Sequence, residues 1–383
     1  MEKGKSLIMV PGPTNVPDRV TLAMTRPIVN HRGSEFHALH DSITDNLKYT
    51  FQTKNDVFVL TSSSTGGVEC AIGNITNPGD TIVVPVFGVF SERLKEKILR
   101  RGGRAIEVPT DWKQCPTAEM ITQTVEREKN VKAIALVYNE TSTGTIVRDL
   151  PEIGKIAREK DILFMVDATS ILGGDQLPVD EWGIDLCVAG SQKCLACPPG
   201  IAVISVSKKA WETVEKTSLR PYYFDLVLCR EFAERKETPF TPALPIFYAF
   251  DEALKMLREE GLEKRIQRHK SCAKAFYAAL EALKLKPFPD EKFRSNTVIA
   301  VEVPAGVDGN LVQKIMREQY GVVIAGGMRK LKGLIFRIGC MGIISELETI
   351  ATVRAFEKAL NDAEYPMKAG AGIEAATNVF RRS

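Results

Sequence analysis

The sequence predicts an α/β protein whose larger domain holds a mostly parallel sheet and whose smaller C-terminal domain is α+β. Short apolar, β-rich runs alternate with helix-periodic segments through the first two-thirds of the chain. A long, charged, helix-periodic stretch begins near Pro245, and β-rich runs return after it. We therefore predict an N-terminal arm over residues 1–20, a large domain over 21–255 and a small domain over 256–383.

Each predicted strand of the large domain is a short, mostly apolar run. In chain order these runs are "DVFVL" (56–60), "TIVVPV" (81–86), "RAIEV" (104–108), "KAIALVY" (132–138), "DILFMVD" (161–167), "DLCVAG" (185–190) and "GIAVISV" (200–206). The helices predicted between them cover 89–101, 117–128 and 150–160. The long helical stretch after Pro245 has a break near Gly261. The predicted strands of the small domain are 296–303, 321–327 and 332–339.

Length, composition and charge are those of an ordinary globular protein. The chain has 383 residues, of which 44% are hydrophobic and 26% charged, and its net charge is +3. So small a charge gives no reason to expect nucleic acid or a membrane surface as a partner. No apolar run is long enough to cross a bilayer, and prolines and a glycine interrupt the N-terminal apolar patch. We expect no signal peptide and a cytoplasmic location.

The eight cysteines are scattered, and only Cys194 and Cys197 have the spacing of metal ligands. No second such pair completes a zinc site, so no metal site is predicted. A redox pair is the alternative for these two residues, although their flanks do not resemble a strand followed by a helix start. Reduced thiols, as in most cytosolic proteins, are the favoured interpretation.

Two oppositely charged residues follow neighbouring predicted strands. Asp167 ends an apolar strand, and Lys193 lies at the mouth of the next strand. In such sheets ligands bind beyond the carboxyl ends of the strands. If each residue is considered alone, the alternative interpretation is a turn cap for Asp167 and a solvated loop residue for Lys193. Together they suit pyridoxal phosphate, which forms a Schiff base with a lysine and pairs its ring nitrogen with an acidic residue.

A phosphate site is predicted in "VLTSSSTGGVECAIGN", where hydroxyl residues and two glycines lie between a strand and a helical run from Val68. Amides and hydroxyls at a helix N-terminus bind anions. Ser64, Thr65 and Gly66 are the candidate ligands. The stretch lacks the Walker lysine and the GxGxxG spacing, so a nucleoside phosphate is poorly supported. A polar turn with a helix cap is the alternative.

Further candidates follow other strands. Phe90 in "VFGVFSER" is a candidate to stack on a planar ring, although a core phenylalanine is the default interpretation. Thr141 and Ser142 in "YNETSTG" offer hydroxyls at the same sheet edge. Arg337 lies in the apolar strand "IFRIGCMG", where its planar fork suits a carboxylate. A structural salt bridge is the alternative for Arg337.

These motifs occur in an order and spacing that resemble a known family. "PGPTNVP", "NETSTG", "VDATSILGG", "GSQKCLACPPG" and "FRIGCMG" resemble segments of class V aminotransferases of pyridoxal-phosphate fold type I. The resemblance extends from Val10 to about Leu360. It is strongest to the group of serine–pyruvate, alanine–glyoxylate and serine–glyoxylate aminotransferases. The lysine of "GSQK" and the aspartate of "VDA" carry most of its specificity.

The resemblance implies roles for individual residues. Lys193 matches the Schiff-base lysine and Asp167 the partner of the pyridinium nitrogen. Phe90 stands where this group stacks an aromatic ring on the cofactor. Thr141 matches the hydroxyl near the phenolic oxygen of that ring. Arg337 matches the arginine that binds the substrate carboxylate.

Phosphate-binding positions are implied in the same way. Ser64, Thr65 and Gln192 match the family's phosphate ligands. Thr238 and Thr241, in "TPFTPALP", resemble the segment that reaches the phosphate of the neighbouring subunit. The resemblance therefore implies a homodimer with shared active sites.

Two departures from the family pattern are visible. The phosphate loop reads "TSSSTGG", with serines where relatives often have glycines. Cys340 stands where this group commonly has a histidine after "FRIG". Neither change removes a group that the chemistry requires.

The function implied is transfer of an amino group from serine or alanine to pyruvate or glyoxylate by a ping-pong mechanism. A cysteine desulfurase is one alternative, because class V includes such enzymes and Cys194 and Cys340 lie near the predicted site residues in the sequence. A non-catalytic subunit that keeps the fold is another, since some relatives are described as hydrogenase subunits. Lys193, Asp167 and Arg337 argue against the second alternative.

Overall fold

The computed structural model describes residues 6–382. Its strands in chain order are β1 Leu7–Ile8, β2 Asp56–Thr61, β3 Thr81–Val86, β4 Arg104–Pro109, β5 Val131–Val137, β6 Asn139–Glu140, β7 Thr145–Ile146, β8 Leu163–Asp167, β9 Leu186–Gly190, β10 Ile201–Val206, β11 Val298–Glu302, β12 Val322–Val323, β13 Ala325–Gly326 and β14 Ile335–Gly339. The predicted run at 321–327 is thus two short strands, β12 and β13, rather than one.

Helices occupy most of the chain between these strands. In chain order they are α1 Asp18–Ala23, α2 Ser34–Phe51, α3 Ser64–Ile75, α4 Val89–Arg100, α5 Ala118–Arg127, α6 Leu150–Glu159, α7 Lys208–Lys216, α8 Leu226–Ala233, α9 Leu244–Glu260, α10 Leu262–Ala282, α11 Gly309–Gln319, α12 Glu346–Asp362 and α13 Ala371–Arg381. Short 3₁₀ turns occur at Tyr222–Phe224, Glu291–Phe293 and Arg329–Leu331. Within residues 6–382, none of these helices combines the length and apolarity needed to span a membrane.

The central sheet has the strand order β2-β10-β9-β8-β5-β3-β4. All neighbours pair in parallel except at β10, which is antiparallel to both β2 and β9. Every residue of β3, β8, β9 and β10 is buried, because helices cover both faces of the sheet. This arrangement confirms the prediction of a mostly parallel α/β sheet from continuous apolar strands.

The C-terminal part of the chain contains an antiparallel sheet of order β11-β14-β13. Apolar side chains of α10, α12 and this sheet form a separate core, in which Phe336 and Phe356 meet edge to face at 5.3 Å. β1 pairs in parallel with β12, so part of the predicted arm is joined to the C-terminal part. α9 runs through residue 255, and the chain turns at Gly261. The domain limits remain predictions, and residues 1–5 of the arm lie outside the described residues.

One helix begins earlier than predicted. The helical run after the phosphate loop was expected from Val68, but α3 begins at Ser64 and follows Ser63 in an extended conformation. Ser64 and Thr65 therefore lie in the first helical turn. Hydroxyl residues are tolerated there because the first amides of a helix have no partner within it.

Gly154 sets how closely α6 packs against the chain near Trp182. A Cβ atom at Gly154 would lie 1.7 Å from the carbonyl oxygen of Trp182, which belongs to the backbone and cannot rotate away. We expect Gly154→Ala to lower the free energy of unfolding by about 1–3 kcal/mol, despite the higher helix propensity of alanine. Denaturant unfolding of both proteins measures this. Lys155→Ala, on the exposed face of the same helix, should change stability by less than about 0.5 kcal/mol. Equal effects of the two substitutions would contradict the packing argument.

Candidate active site

Asp167 and Lys193 come together because β8 and β9 are parallel neighbours. Asp167 is the last residue of β8 and pairs with Val188 of β9, which ends three residues before Lys193. The amide of Ala168 donates to the carbonyl of Val188 at 2.8 Å and continues the pairing beyond the strand. Both charged side chains line one cavity at this edge of the sheet. The cavity also includes the predicted residues Ser64, Thr65, Phe90, Thr141 and Gln192.

Lys193 is held inside the protein rather than in solvent. Its residue is 9% exposed, and its Nζ donates to the carbonyl oxygen of Pro11. A Cβ atom at Gly12 would lie 2.5 Å from that Nζ, and Gly12 has φ of +90°, so only glycine fits there. Burial, with a smaller contribution from Arg337, lowers the pKa of Lys193 to about 8. A substantial neutral fraction of the amine is therefore present at mildly alkaline pH.

Asp167 is buried and has one backbone hydrogen bond. Its Oδ1 accepts the amide of Thr169 at 2.9 Å, and the residue is 8% exposed. No cationic atom lies within 4.0 Å of its carboxylate among residues 6–382. Burial raises the pKa of Asp167, while the Thr169 bond, Lys97 and Lys193 oppose that rise. The cavity thus contains a carboxylate with capacity to accept a further donor.

An anion cradle lies at the start of α3. The amides of Ser64 and Thr65 donate no backbone hydrogen bond within the described chain, and Nε2 of Gln192 donates to Oγ of Ser64 at 3.1 Å. Free amides, a hydroxyl and the helix dipole together favour an anion. Gly66 departs from expectation, because it does not line the cavity and its amide already donates to the carbonyl of Ser63 at 2.9 Å.

A buried carboxylate that the sequence did not single out fixes the cavity wall near Phe90. Glu140 is fully buried and accepts the amides of Phe90 and Ser91 at 3.1 and 2.9 Å. It also accepts the hydroxyl of Ser142 at 2.6 Å. Ser142 was predicted at the sheet edge, but its hydroxyl is engaged with Glu140 and the amide of Val89, and it does not line the cavity. The hydroxyl of Ser142 therefore has a structural role.

Arg337 lies behind the wall that carries Thr141. Its Nε donates to the carbonyl of Gly326 at 2.8 Å and its Nη1 to that of Thr141 at 3.0 Å. Within residues 6–382 it has no carboxylate partner, so the alternative of a structural salt bridge is wrong for that part of the chain. Nη2 makes no hydrogen bond there. Burial lowers the pKa of Arg337 to about 10, a cost that the buried Glu140 partly offsets. Its guanidinium remains the charged form at neutral pH.

Thr238 and Thr241 lie apart from the cavity. They line a separate hollow with Tyr223 and Phe240, and the hydroxyl of Thr238 donates to the carbonyl of Phe240 at 2.8 Å. The fold does not bring either residue to the cavity of its own chain. Their assignment to the phosphate of a neighbouring subunit remains a prediction.

Several residues at the site were missed from the sequence. Lys97 and Arg93 line the cavity from α4, and their spacing of seven and three residues from Phe90 was a usable signal. Oδ1 of Asn139 and Oγ1 of Thr169 are buried at the cavity wall without a hydrogen-bond partner in the described chain. Arg265 of α10 donates to the carbonyl of Cys194, next to Lys193, at 2.6 Å. No local pattern marks Arg265, because its partner is distant in sequence.

The cysteines near the site are not mobile nucleophiles. Cys194 and Cys340 are fully buried, and burial raises the pKa of Cys194 to about 12 and that of Cys340 well above its usual range. A thiol needs its thiolate form and access to the substrate in order to attack it. The arrangement gives the desulfurase alternative no nucleophile at these two positions.

The donor set of the cavity fits pyridoxal phosphate. An amine of lowered pKa, a buried carboxylate, an aromatic side chain and a free helix N-terminus match the aldehyde, ring nitrogen, ring face and phosphate of that molecule. The unpartnered polar atoms of Asn139 and Thr169 also line this space. The match to pyridoxal phosphate thus follows from the chemistry of the side chains that line the cavity.

Comparison with known proteins supports the same conclusion. Residues 12–355 match the family Aminotransferase class-V. An uncharacterized aminotransferase of Methanocaldococcus jannaschii is 40% identical, with 98% of both chains covered. A serine–glyoxylate aminotransferase of Arabidopsis thaliana is 32% identical over 99% of this chain and 96% of its own. A small subunit of soluble hydrogenase from Synechococcus sp. is 36% identical, with 98% of both chains covered.

The fold agrees with a solved structure of the same group. The crystal structure of ureidoglycine–glyoxylate aminotransferase from Bacillus subtilis superposes with a TM-score of 0.94 and 31% identity, covering 100% of this chain and 99% of the other. Pyridoxal phosphate is the cofactor that the family and this structural neighbour imply. The chain therefore belongs to the class V aminotransferases, the pyridoxal-phosphate-dependent family that its motifs resemble.

Proposed function

We propose that this chain is a cytoplasmic, homodimeric transaminase that moves an amino group from serine or alanine to glyoxylate or pyruvate in two half-reactions. One observation carries the proposal. A buried amine and a buried carboxylate, Lys193 and Asp167, line a single cavity that also has a free helix N-terminus. Each of these groups is costly to bury without a ligand, and together they match one cofactor.

The residues that would hold the cofactor follow from their places in the cavity. Lys193 would form the covalent link, Asp167 would accept the ring N–H, and Phe90 would stack on the ring. Ser64 and Thr65 donate to the phosphate, with Gln192 beside them. When bound, pyridoxal phosphate supplies a carbonyl carbon for the amino group and a ring that accepts electrons from the substrate α-carbon.

Lys193 then acts as the proton carrier. Its free Nζ would remove the proton from the substrate α-carbon as a base and return a proton as an acid. The pKa of about 8 that burial gives Lys193 suits both directions, because neither form is rare near neutral pH. The carbonyl of Pro11, which now accepts from Nζ, keeps the amine at this position.

Arg337 binds the carboxylate that every substrate in the proposal shares. Its unbonded Nη2 is the available donor, while its bonds to Gly326 and Thr141 fix the plane of the guanidinium. The acceptor is proposed as glyoxylate because relatives bear that name, including the serine–glyoxylate and ureidoglycine–glyoxylate enzymes. Serine and alanine are proposed as donors from the resemblance to the serine–pyruvate and alanine–glyoxylate group.

A second candidate is a non-catalytic role in a larger complex, which the names of two hydrogenase subunits among the relatives favour. A non-catalytic subunit would not require Lys193 and Asp167, two buried ionisable groups that line the same cavity. Purification of this chain with a stoichiometric unrelated partner and without a cofactor absorption band would support the second candidate instead.

The proposal predicts a cofactor spectrum that responds to one amino donor. Purified protein should show a visible band that serine or alanine bleaches and glyoxylate restores, whereas aspartate should leave it unchanged. Lys193→Ala should lack the covalent band and lose at least about 10³-fold in turnover, because it lacks both the link and the proton carrier. Absorption spectroscopy and single-turnover kinetics measure both effects. Full turnover by Lys193→Ala would refute the mechanism.

Arg337→Lys tests the carboxylate site. The lysine keeps the positive charge but loses the planar fork, so we expect KM for donor and acceptor to rise about 10–100-fold. The visible band should stay at its wavelength, since Arg337 does not line the cofactor cavity. Steady-state kinetics give KM, and Arg317→Lys on the exposed surface of α11 is the matched control. Unchanged KM for both substrates would remove Arg337 from the substrate site.

Thr241→Val tests the shared active site. Thr241 does not line the cavity of its own chain, so any effect on the cofactor must come through the neighbouring subunit or the fold. We expect about a tenfold loss of pyridoxal phosphate affinity from one lost hydrogen bond. Fluorescence titration of the apoprotein and sedimentation analysis measure affinity and mass. A monomer, or a dimer with native affinity, would contradict the shared site. Thr21→Val, on the exposed side of α1, is the control.

A further inference from the structure

Lys97 is a charged side chain in the cavity to which the proposed reaction gives no role. It lies on α4, one face of which presents Phe90, Arg93 and Lys97 to the cavity at a spacing of three and seven residues. Asp167 and Lys193 line the same cavity from the sheet side. Lys97 is half-buried, so its charge is less screened than that of a surface lysine.

Lys97 has no strong partner in the described part of the chain. Its Nζ makes one long hydrogen bond of 3.4 Å to the carbonyl of Arg93 in its own helix. The carboxylates that influence it are Glu69 of α3 and Asp167 of β8, and neither forms an ion pair with it. Arg93 is the cationic neighbour that acts on it. Lys97 is a half-buried cation without an ion-pair partner in the described residues. Its charge therefore acts mainly on the groups that line the cavity.

Asp167 needs such a charge. Burial raises the pKa of Asp167, and hydrogen bonding to Thr169 is the largest effect that opposes this rise. After Thr169, the charges of Lys97 and Lys193 also oppose the rise, and these are the two cations that act on Asp167. In the proposed reaction the nitrogen of Lys193 is taken up in covalent bonding and proton transfer, so its charge changes during the cycle. Burial lowers the pKa of Lys97, and Asp167 and Glu69 oppose that effect. Because Lys97 takes no part in the covalent steps, those steps do not consume its charge.

We propose that Lys97 is a positioning residue, a fixed positive charge that keeps Asp167 ionised and able to hold the ring nitrogen of the cofactor throughout the cycle. This inference rests on the proposed function. It adds a residue of α4 that acts through Asp167 and does not react itself. Because a protonated Asp167 carries no negative charge to pair with the ring N–H and accepts it more weakly than a carboxylate does, loss of the Lys97 charge weakens cofactor binding mainly at acidic pH.

The test is the pH dependence of pyridoxamine 5′-phosphate binding to the apoprotein. This form of the cofactor has no aldehyde and makes no covalent bond to Lys193, so affinity reports on non-covalent contacts. Native protein, Lys97→Met and Lys97→Arg are titrated by fluorescence or calorimetry between pH 5 and 8. The pKa of Lys193 is about 8 in the native chain, so its amine is largely protonated through the acidic half of this range.

We expect Lys97→Met to bind about three- to tenfold more weakly than native protein near pH 6 and to approach native affinity at pH 8. Lys97→Arg keeps the charge and should follow the native profile. A weakening by the same factor at every pH would indicate a direct contact or a folding defect and would overturn the inference. So would identical profiles for Lys97→Met and native protein.

The control for folding is the free energy of unfolding of each variant, which a half-buried lysine should change little. If native apoprotein binds neither pyridoxamine phosphate nor pyridoxal phosphate, the proposed function fails and this inference fails with it. If native protein binds the cofactor and the Lys97 profiles coincide, only the role of Lys97 fails.

Discussion

The parallel pairing of β8 with β9 is the constraint on which the site depends. It brings the carboxylate at the end of one strand and the lysine after the next strand to the same edge of the sheet, where both strands are fully buried. Burial raises the pKa of Asp167 and lowers that of Lys193, so each is pushed toward its neutral form. The chain supports this arrangement from outside the sheet. Pro11 and Gly12 lie against the lysine side chain, and Arg265 holds the backbone beside it.

Two buried carboxylates near the cavity have different surroundings and therefore different capacities to bind a ligand. Glu140 accepts amides and hydroxyls from α4 and from Ser142 in the turn after β6, so its hydrogen-bonding capacity is used within the protein. Asp167 accepts a single amide and lines the cavity. Satisfied in this way, Glu140 orders the start of α4 and the position of Phe90. Asp167 retains acceptor capacity for a ligand. The number of hydrogen bonds that each carboxylate accepts therefore distinguishes the acid that is satisfied within the protein from the acid that can still accept a ligand.

The relatives share one fold, but their names describe different activities. Glyoxylate aminotransferases and a hydrogenase subunit are all similar to this chain over nearly their full length. A common fold supports several activities, so the assignment must rest on the site. Here that site keeps the lysine, the carboxylate and the helix N-terminus together. Cys194 and Cys340, the two candidates for a desulfurase nucleophile, are buried, and burial raises the pKa of both thiols.

The sequence by itself determined the fold class, the family and the two charged residues at the strand ends. Continuous apolar strands and strand-end polar residues are local patterns, and local patterns can be read along a chain. Only the tertiary structure decided which of the remaining polar residues meet. In the structure α3 begins at Ser64, and the amide of Gly66 donates to the carbonyl of Ser63. The hydroxyl of Ser142 donates to Glu140, and Lys97 lines the cavity. These outcomes depend on hydrogen bonds and packing between segments far apart in sequence, which no local pattern contains.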